Sequence, residues 1–165
     1  NARNHFPDAD WIPNNISAGI LSDTTEFIAS KSGVSVQSVQ KSIDKISWMK
    51  ERLRQQGGSV QRSIASTDSA AKLSSTVSYV GLSDVGAVLD HVPNGTVINI
   101  VRSNRARYPV LISHQGFFIR KNGMAYFRHA SKNQQINEVP LLEYVESAKQ
   151  MPWAVLGLNF NEFRG

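Results

Sequence analysis

Two histidines flank a Lys121-Asn122-Gly123 link in the stretch SHQGFFIRKNGMAYFRHAS, residues 113–131. An Asn-Gly pair between β-rich runs predicts a two-residue type I′ hairpin, because both central positions need positive φ. That turn pairs Lys121 with Met124, sets His129 opposite Gly116 and His114 opposite Ser131. Alternation along the strands then places His114, Gly116, Phe118, Phe127, His129 and Ser131 on one face. The two imidazoles become diagonal neighbours, roughly 7 to 8 Å apart at Cα, with Gly116 leaving the space between them open. Such a pair suits a general base and its orienter: one ring takes a proton from a nucleophile while the other fixes its tautomer. Two ordinary sheet histidines with local hydrogen bonds fit the same pattern, and the residues alone leave both readings open. With no H-E-x-x-H and no obvious third ligand, no metal is expected, nor any cofactor.

The nucleophile is the gap in this picture. The 165 residues contain no cysteine, so neither a thiol nor a disulfide is available within them. GLSDVG, around Ser83, is not a serine elbow: it has one residue too many before its second glycine for G-x-S-x-G. A formal charge of +5 and a pI near 9.7 favour anionic partners such as nucleic acid, an anionic membrane face or a bacterial cell wall. The basic residues are dispersed, however, as in Lys50, Arg52 and Arg54 or Arg102, Arg105 and Arg107, with no RNA-binding aromatic motif or zinc-finger spacing beside them. No apolar run approaches the roughly 18 residues of a membrane span, so none is expected.

The elements that position the histidines follow from periodicity. Residues 1–15, rich in Pro, Asn and Asp, read as an irregular, aromatic-anchored loop. Asp23 and Glu26 resemble a capping box opening a short helix that Gly33 stops. Val36, Val39, Ile43, Ile46, Met49 and Leu53 predict a second helix from Val36 to Gln55. The Ser/Thr-rich stretch 63–78 reads as a linker. A brief helix spans Val85 to Leu89; TVINIVR, VLISHQGFFIR and MAYFRHA follow as strands; Pro140 begins a helix through Lys149; and WAVLGLNF forms a last strand. The expectation is an α+β fold in a single domain, or the C-terminal portion of one. Residues 1–62 would be mainly helical with a substrate-side N-terminal loop, and 79–165 would form a β-rich part around an antiparallel sheet carrying the histidines.

GTVINIVR, ISHQGFFIRKNGMAYFRHAS and VPLLEYV, with RNHFPDADWIPNN upstream, resemble the bacterial N-acetylmuramoyl-L-alanine amidase-like family within the NlpC-type, papain-like cell-wall amidases. The likeness extends from the first loop to the final strand. It implies a papain-like core with N-terminal helices packed on the sheet, and hydrolysis of the amide joining N-acetylmuramic acid to L-alanine in peptidoglycan or muropeptide fragments. By this resemblance His114 is the catalytic base and His129 its orienter. The family's cysteine nucleophile sits at a helix N-terminus upstream of the RNHF loop, where the dipole and the histidine lower its pKa. Its absence here, with a chain that opens on Asn1, leads to the expectation of a C-terminal portion whose cysteine lies in an upstream segment of the same protein. The alternatives are a muropeptide-binding relative that does not cleave and, more distantly, a basic nucleic-acid-binding domain. Arg3, Asp10, Trp11 and Asn14 are candidate substrate contacts, Trp11 by stacking on a sugar or peptide and Arg3 by pairing with a carboxylate; anchoring of their loop is the competing role. Arg128, on the other face of the hairpin, is expected to form a structural ion pair. The resemblance further implies a place in the bacterial cell envelope or periplasm.

Overall fold

The computed structural model describes residues 6–44, 72–131, 135–152 and 154–165. After a five-residue π-turn, Pro7–Trp11, come helix α1 (Ile12–Ser17), strand β1 (Leu21–Asp23), helix α2 (Thr25–Lys31) and strands β2 (Gln37–Asp44) and β3 (Lys72–Gly81). Helix α3 (Val85–Val88) runs into a short 3-10 turn, Leu89–His91. Strands β4 (Val97–Arg102), β5 (Ile112–Lys121), β6 (Met124–Ala130) and β7 (Ile136–Pro140) follow, then helix α4 (Leu141–Lys149) and strand β8 (Val155–Phe163). The eight strands form one sheet in the order β2-β3-β8-β4-β5-β6-β7, with β1 also on β8 and every pairing antiparallel. Among the described residues the architecture is a mixed fold with few helices on an antiparallel sheet.

The pleat gives this sheet two different faces. On one, Ile98, Ile100, Phe118, Phe127, Leu158 and Phe160 pack with Ile28 of α2, Val85 and Val88 of α3, and Leu141 and Val145 of α4. Removing each of these phenylalanines from water contributes about 1.5 to 3 kcal/mol. The reverse face carries a smaller cluster of Ile12, Val77, Tyr79, Val101, Leu111 and Ile112 under the N-terminal turns, beside a row of buried amides. Asn99 donates to the Asn159 and Asn161 side-chain carbonyls at 2.8 and 2.9 Å and accepts from Gln115 Nε2 at 2.7 Å. Asn159 in turn donates to Asp23 Oδ2 and Thr25 Oγ1, both at 2.9 Å.

Three segments differ from the sequence expectation. Residues 37–44 form β2, not the first part of a helix, and pair with β3 residue for residue from Gln37↔Tyr79 to Asp44↔Lys72. Val39 and Ile43 are four apart, a spacing that serves a helix turn and two strand periods equally. Lys41, lying between them, is also buried, which reveals the period of two. The remainder of that expected helix, 45–55, lies outside the described residues, as does 63–71 of the expected linker. From Lys72 onward the linker is strand. Its inward positions are Ser75, Val77 and Tyr79, and a serine there conceals the apolar alternation because its Oγ donates to the Asp8 main-chain carbonyl at 2.9 Å. The N-terminal segment is helical rather than irregular from Pro7 to Ser17; Pro7 and Pro13 stand in first-turn positions, where a missing N–H is no loss.

Truncating Asn99 would leave the buried Asn159 and Asn161 amides and the half-buried Gln115 amide each short of a partner. Asn99→Ala is therefore expected to lower unfolding free energy by at least about 2 kcal/mol, read as a fall in the urea midpoint at unchanged slope; a midpoint equal to wild type would show that the row carries no stability.

Candidate histidine site

The hairpin register sets the site. Asn122 and Gly123 have φ of 50° and 78°, as a type I′ turn requires, and the ladder runs from Lys121↔Met124 to Gly116↔His129. His114, two residues beyond Gly116 on the same pleat, reaches across to its diagonal neighbour. The His114 Nε2 and His129 Nδ1 atoms are 2.8 Å apart, a hydrogen bond between rings standing at 87°. Ser131 leaves the ladder and instead donates its N–H to the Gln135 carbonyl at 2.8 Å.

Aromatic packing holds the second ring in place. His129 stacks on Phe127 at 4.9 Å with 11° between planes, and Tyr144 of α4 meets His129 at 5.6 Å and Phe127 at 4.8 Å. Leu141 and Val145 anchor α4 in the core, and Tyr144, one turn after Leu141, lands beside the hairpin. Gly116 makes this approach possible: a β-carbon there would stand 2.5 Å from both Phe127 Cε2 and the Arg128 carbonyl, and 2.9 Å from His129 Cβ. The space at Gly116, expected to stay open between the histidines, is instead filled by Phe127 and the His129 β-carbon.

The pair opens into a cleft of about 560 Å³ lined by Arg102, Ser113, His114, His129, Tyr144 and Met151 among others. Burial pushes the His114 pKa below its ordinary 6.5, and the neighbouring His129 adds to this, so His114 is held as a neutral imidazole with a lone pair to offer. Burial raises the Tyr144 phenol above its usual value, keeping it protonated.

The other expected residues are elsewhere. Trp11 packs on the Ile12 cluster of the reverse face and lines a hollow there with Val97, Gln115, Phe117 and Phe163; Asp10 is half-buried in the N-terminal turn, Asn14 is exposed on α1, and none of the three lines the histidine cleft. Arg3 lies outside the described residues. The segment is held on that face by Asp8, whose Oδ2 accepts the Leu111 N–H at 2.9 Å and whose carbonyl accepts Ser75 Oγ. Arg128 forms the ion pair expected on the outer face of the hairpin, with Glu138 at 2.6 Å. Sequence reading passed over Tyr144 and Arg102 as cleft residues. Tyr144 lies in the VPLLEYV stretch at inward helical spacing from Leu141, a signal that marks a buried face but not which strand it meets.

A family model described as AmiA-like, N-acetylmuramoyl-L-alanine amidase-like, matches residues 1–151. The chain belongs to this AmiA-like family. Three solved structures resemble its AmiA-like fold. A protein of Legionella pneumophila strain Philadelphia 1 matches with a TM-score of 0.76 and 23% identity, over 99% of this chain and 62% of its own length. An N-acetylmuramoyl-L-alanine amidase of Bacteroides uniformis matches with a TM-score of 0.70 and 20% identity, over 99% and 65%. A Bacteroides fragilis protein described as a candidate xylanase matches with 0.67 and 21%, over 97% and 66%. Identities this low establish a shared fold, and this AmiA-like chain spans less than two thirds of the length of the first two. Among curated proteins the sequence has no match.

Two outcomes follow from the geometry. Gly116→Ala is expected to force β5 and β6 apart, costing about 1 to 3 kcal/mol and shifting the His114 and His129 imidazole resonances; unaltered resonances in a stably folded variant would show that the strands yield without disturbing the pair. The depressed His114 pKa also sets a sign. The folded state binds a proton there less readily than the unfolded chain, so the contribution is complete above about pH 6.5 and is lost as pH falls through the lower, folded value. Denaturation at pH 7.5 and 5.5 should show lower stability at 5.5, with a smaller difference in His114→Gln; an identical pH dependence in that variant would remove His114 as its source.

Proposed function

We propose that the protein is a cell-wall amidase that cleaves the amide between N-acetylmuramic acid and L-alanine, on a papain-like core of the NlpC type, with His114 as general base and His129 as its orienter. The observation that carries the reading is the 2.8 Å contact between His114 Nε2 and His129 Nδ1 at the wall of an open cleft; family membership supplies the substrate class. With Nε2 committed to His129, the atom His114 turns to a nucleophile is Nδ1. A lone pair on Nδ1 places the His114 proton on Nε2, which donates to His129 Nδ1 and leaves the one His129 ring proton on its own Nε2. The low pKa keeps that lone pair available at neutral pH.

In this reading a thiol from sequence beyond these 165 residues, which hold no cysteine, loses its proton to His114 and attacks the lactyl carbonyl. The tetrahedral intermediate collapses as His114 returns the proton to the departing alanine nitrogen, and water then releases the acyl group by the same route. The greater length of the Legionella pneumophila and Bacteroides uniformis structures supports such an additional segment. Action on muropeptides would place the protein in the bacterial cell envelope or periplasm. The absence of a thiol also favours a second reading, a relative that binds muropeptide without cleaving it.

The test is release of L-alanyl peptide from N-acetylmuramoyl-L-alanyl peptide by the protein carrying its native flanking sequence. Hydrolysis is expected, with His114→Ala reducing turnover by about two to four orders of magnitude and His129→Ala by less. Binding with no release would decide for the non-cleaving relative, and near-normal turnover in His114→Ala would remove it from the base role.

A further inference from the structure

The cleft contains a cation that the chemistry above leaves unused. Arg102 pairs with Val155 across the β4–β8 ladder, so both project from the same face, and Val155 packs on the core that the histidines border. A bulge at this end of β4 turns the strand toward loop 103–111. There the Arg102 Nε–H donates to the Val110 carbonyl at 2.9 Å and the guanidinium lies 4.1 Å from the centre of the Tyr108 ring. Arg107 covers the same ring at 4.7 Å while its Nη2 reaches the Pro152 carbonyl at 3.3 Å.

The guanidinium is thus fixed in plane and position through one of its three nitrogens. No described residue takes a hydrogen bond from its two Nη groups, and no carboxylate lies within ion-pairing distance of them among the described residues. Among the described residues the cleft lining likewise includes no Asp or Glu. A half-buried arginine held by Nε and a stacked ring, with its outer fork open, has the geometry that receives a planar anion through two parallel N–H bonds. Burial disfavours that charge more than Tyr108 and Asp8, the latter beyond ion-pairing distance, offset it, and a ligand carboxylate at the fork would relieve the remainder.

We propose that Arg102 forms an anion subsite of the histidine cleft, binding a carboxylate of the substrate through its two Nη groups. The inference rests on the reading of this cleft as a muropeptide amidase site and assigns Arg102 to a carboxylate of that substrate. Because the stacked ring holds the fork rigid, little side-chain freedom is lost when the carboxylate docks.

Two probes test it: N-acetylmuramoyl-L-alanyl-glutamate, and the same molecule with both carboxylates converted to carboxamides. Calorimetric titration of the full protein is expected to show the acid bound about 10-fold or more tightly than the carboxamide, from charge-assisted hydrogen bonds, with a preference that shrinks as salt is raised. Arg102→Gln should level the two probes, and Arg102→Lys, which keeps charge and packing volume but not the fork, should retain part of the preference. Equal affinities in the wild type, no measurable binding of the acid, or a full preference surviving in Arg102→Gln would overturn the subsite. The same samples separate this inference from the amidase reading: an acid preference without peptide release sinks the amidase and leaves the subsite, whereas release from both probes at equal affinity does the reverse.

Discussion

Between β5 and β6 there is room for a hydrogen atom at position 116 and for nothing larger. The Phe127 ring, the Arg128 carbonyl and the His129 β-carbon all crowd the point where a side chain would begin. That closeness lets His129 lie flat on Phe127 and lets His114, one pleat step away, reach its second nitrogen. Tyr144 then closes the group from α4, and the cleft wall exists because these rings have no freedom to fill it. A side chain at 116 would disturb packing, hydrogen bond and cavity together.

The sheet keeps its two faces chemically separate. One is an apolar core that desolvates His114 without sealing it; the other is a row of amides, each satisfied by the next. Buried amides of this kind contribute little net free energy per bond but make alternatives expensive, since a one-residue slip between β4 and β8 would turn Asn159 and Asn161 toward the apolar core and Leu158 and Phe160 toward the amide row. The amide row therefore holds the register of β4, and through β4 that of β5, on which the base is carried.

How much of this was legible depended on how local the cause was. Asn122-Gly123 dictates its own backbone, so the turn, the pairing of Gly116 with His129 and the shared face of the histidines could all be read in advance. Strand β2 could not, because Val39 and Ile43 satisfy two periods at once and the residue that breaks the tie is a lysine, buried with its Nζ donating to Asn104 Oδ1 and the Arg105 carbonyl. The reverse-face position of Trp11 was hidden for another reason. Asp8 ties its segment to a residue 103 positions away, a contact no short motif announces. Arg102 and Tyr144 reach the cleft through a bulge and a helix packing of the same long-range kind, so charge and periodicity marked them as ordinary residues.

Strand β8 is the last of the eight in sequence, yet it pairs with β1, β3 and β4 and lies at the middle of the sheet. Until those residues are made, β2–β3 and β4–β7 are two separate ribbons with unpaired edges, and neither α2 nor α3 has a finished surface to cover. Assembly must then wait for a distant segment to enter between two preformed halves, a topology whose many long-range contacts slow folding and leave open strand edges free to seek other chains. The strand at the middle of the native sheet is thus the last of them to be made, and a ribosome-bound chain halted before Val155 would carry both histidines on a β4–β7 ribbon whose β4 edge is still open.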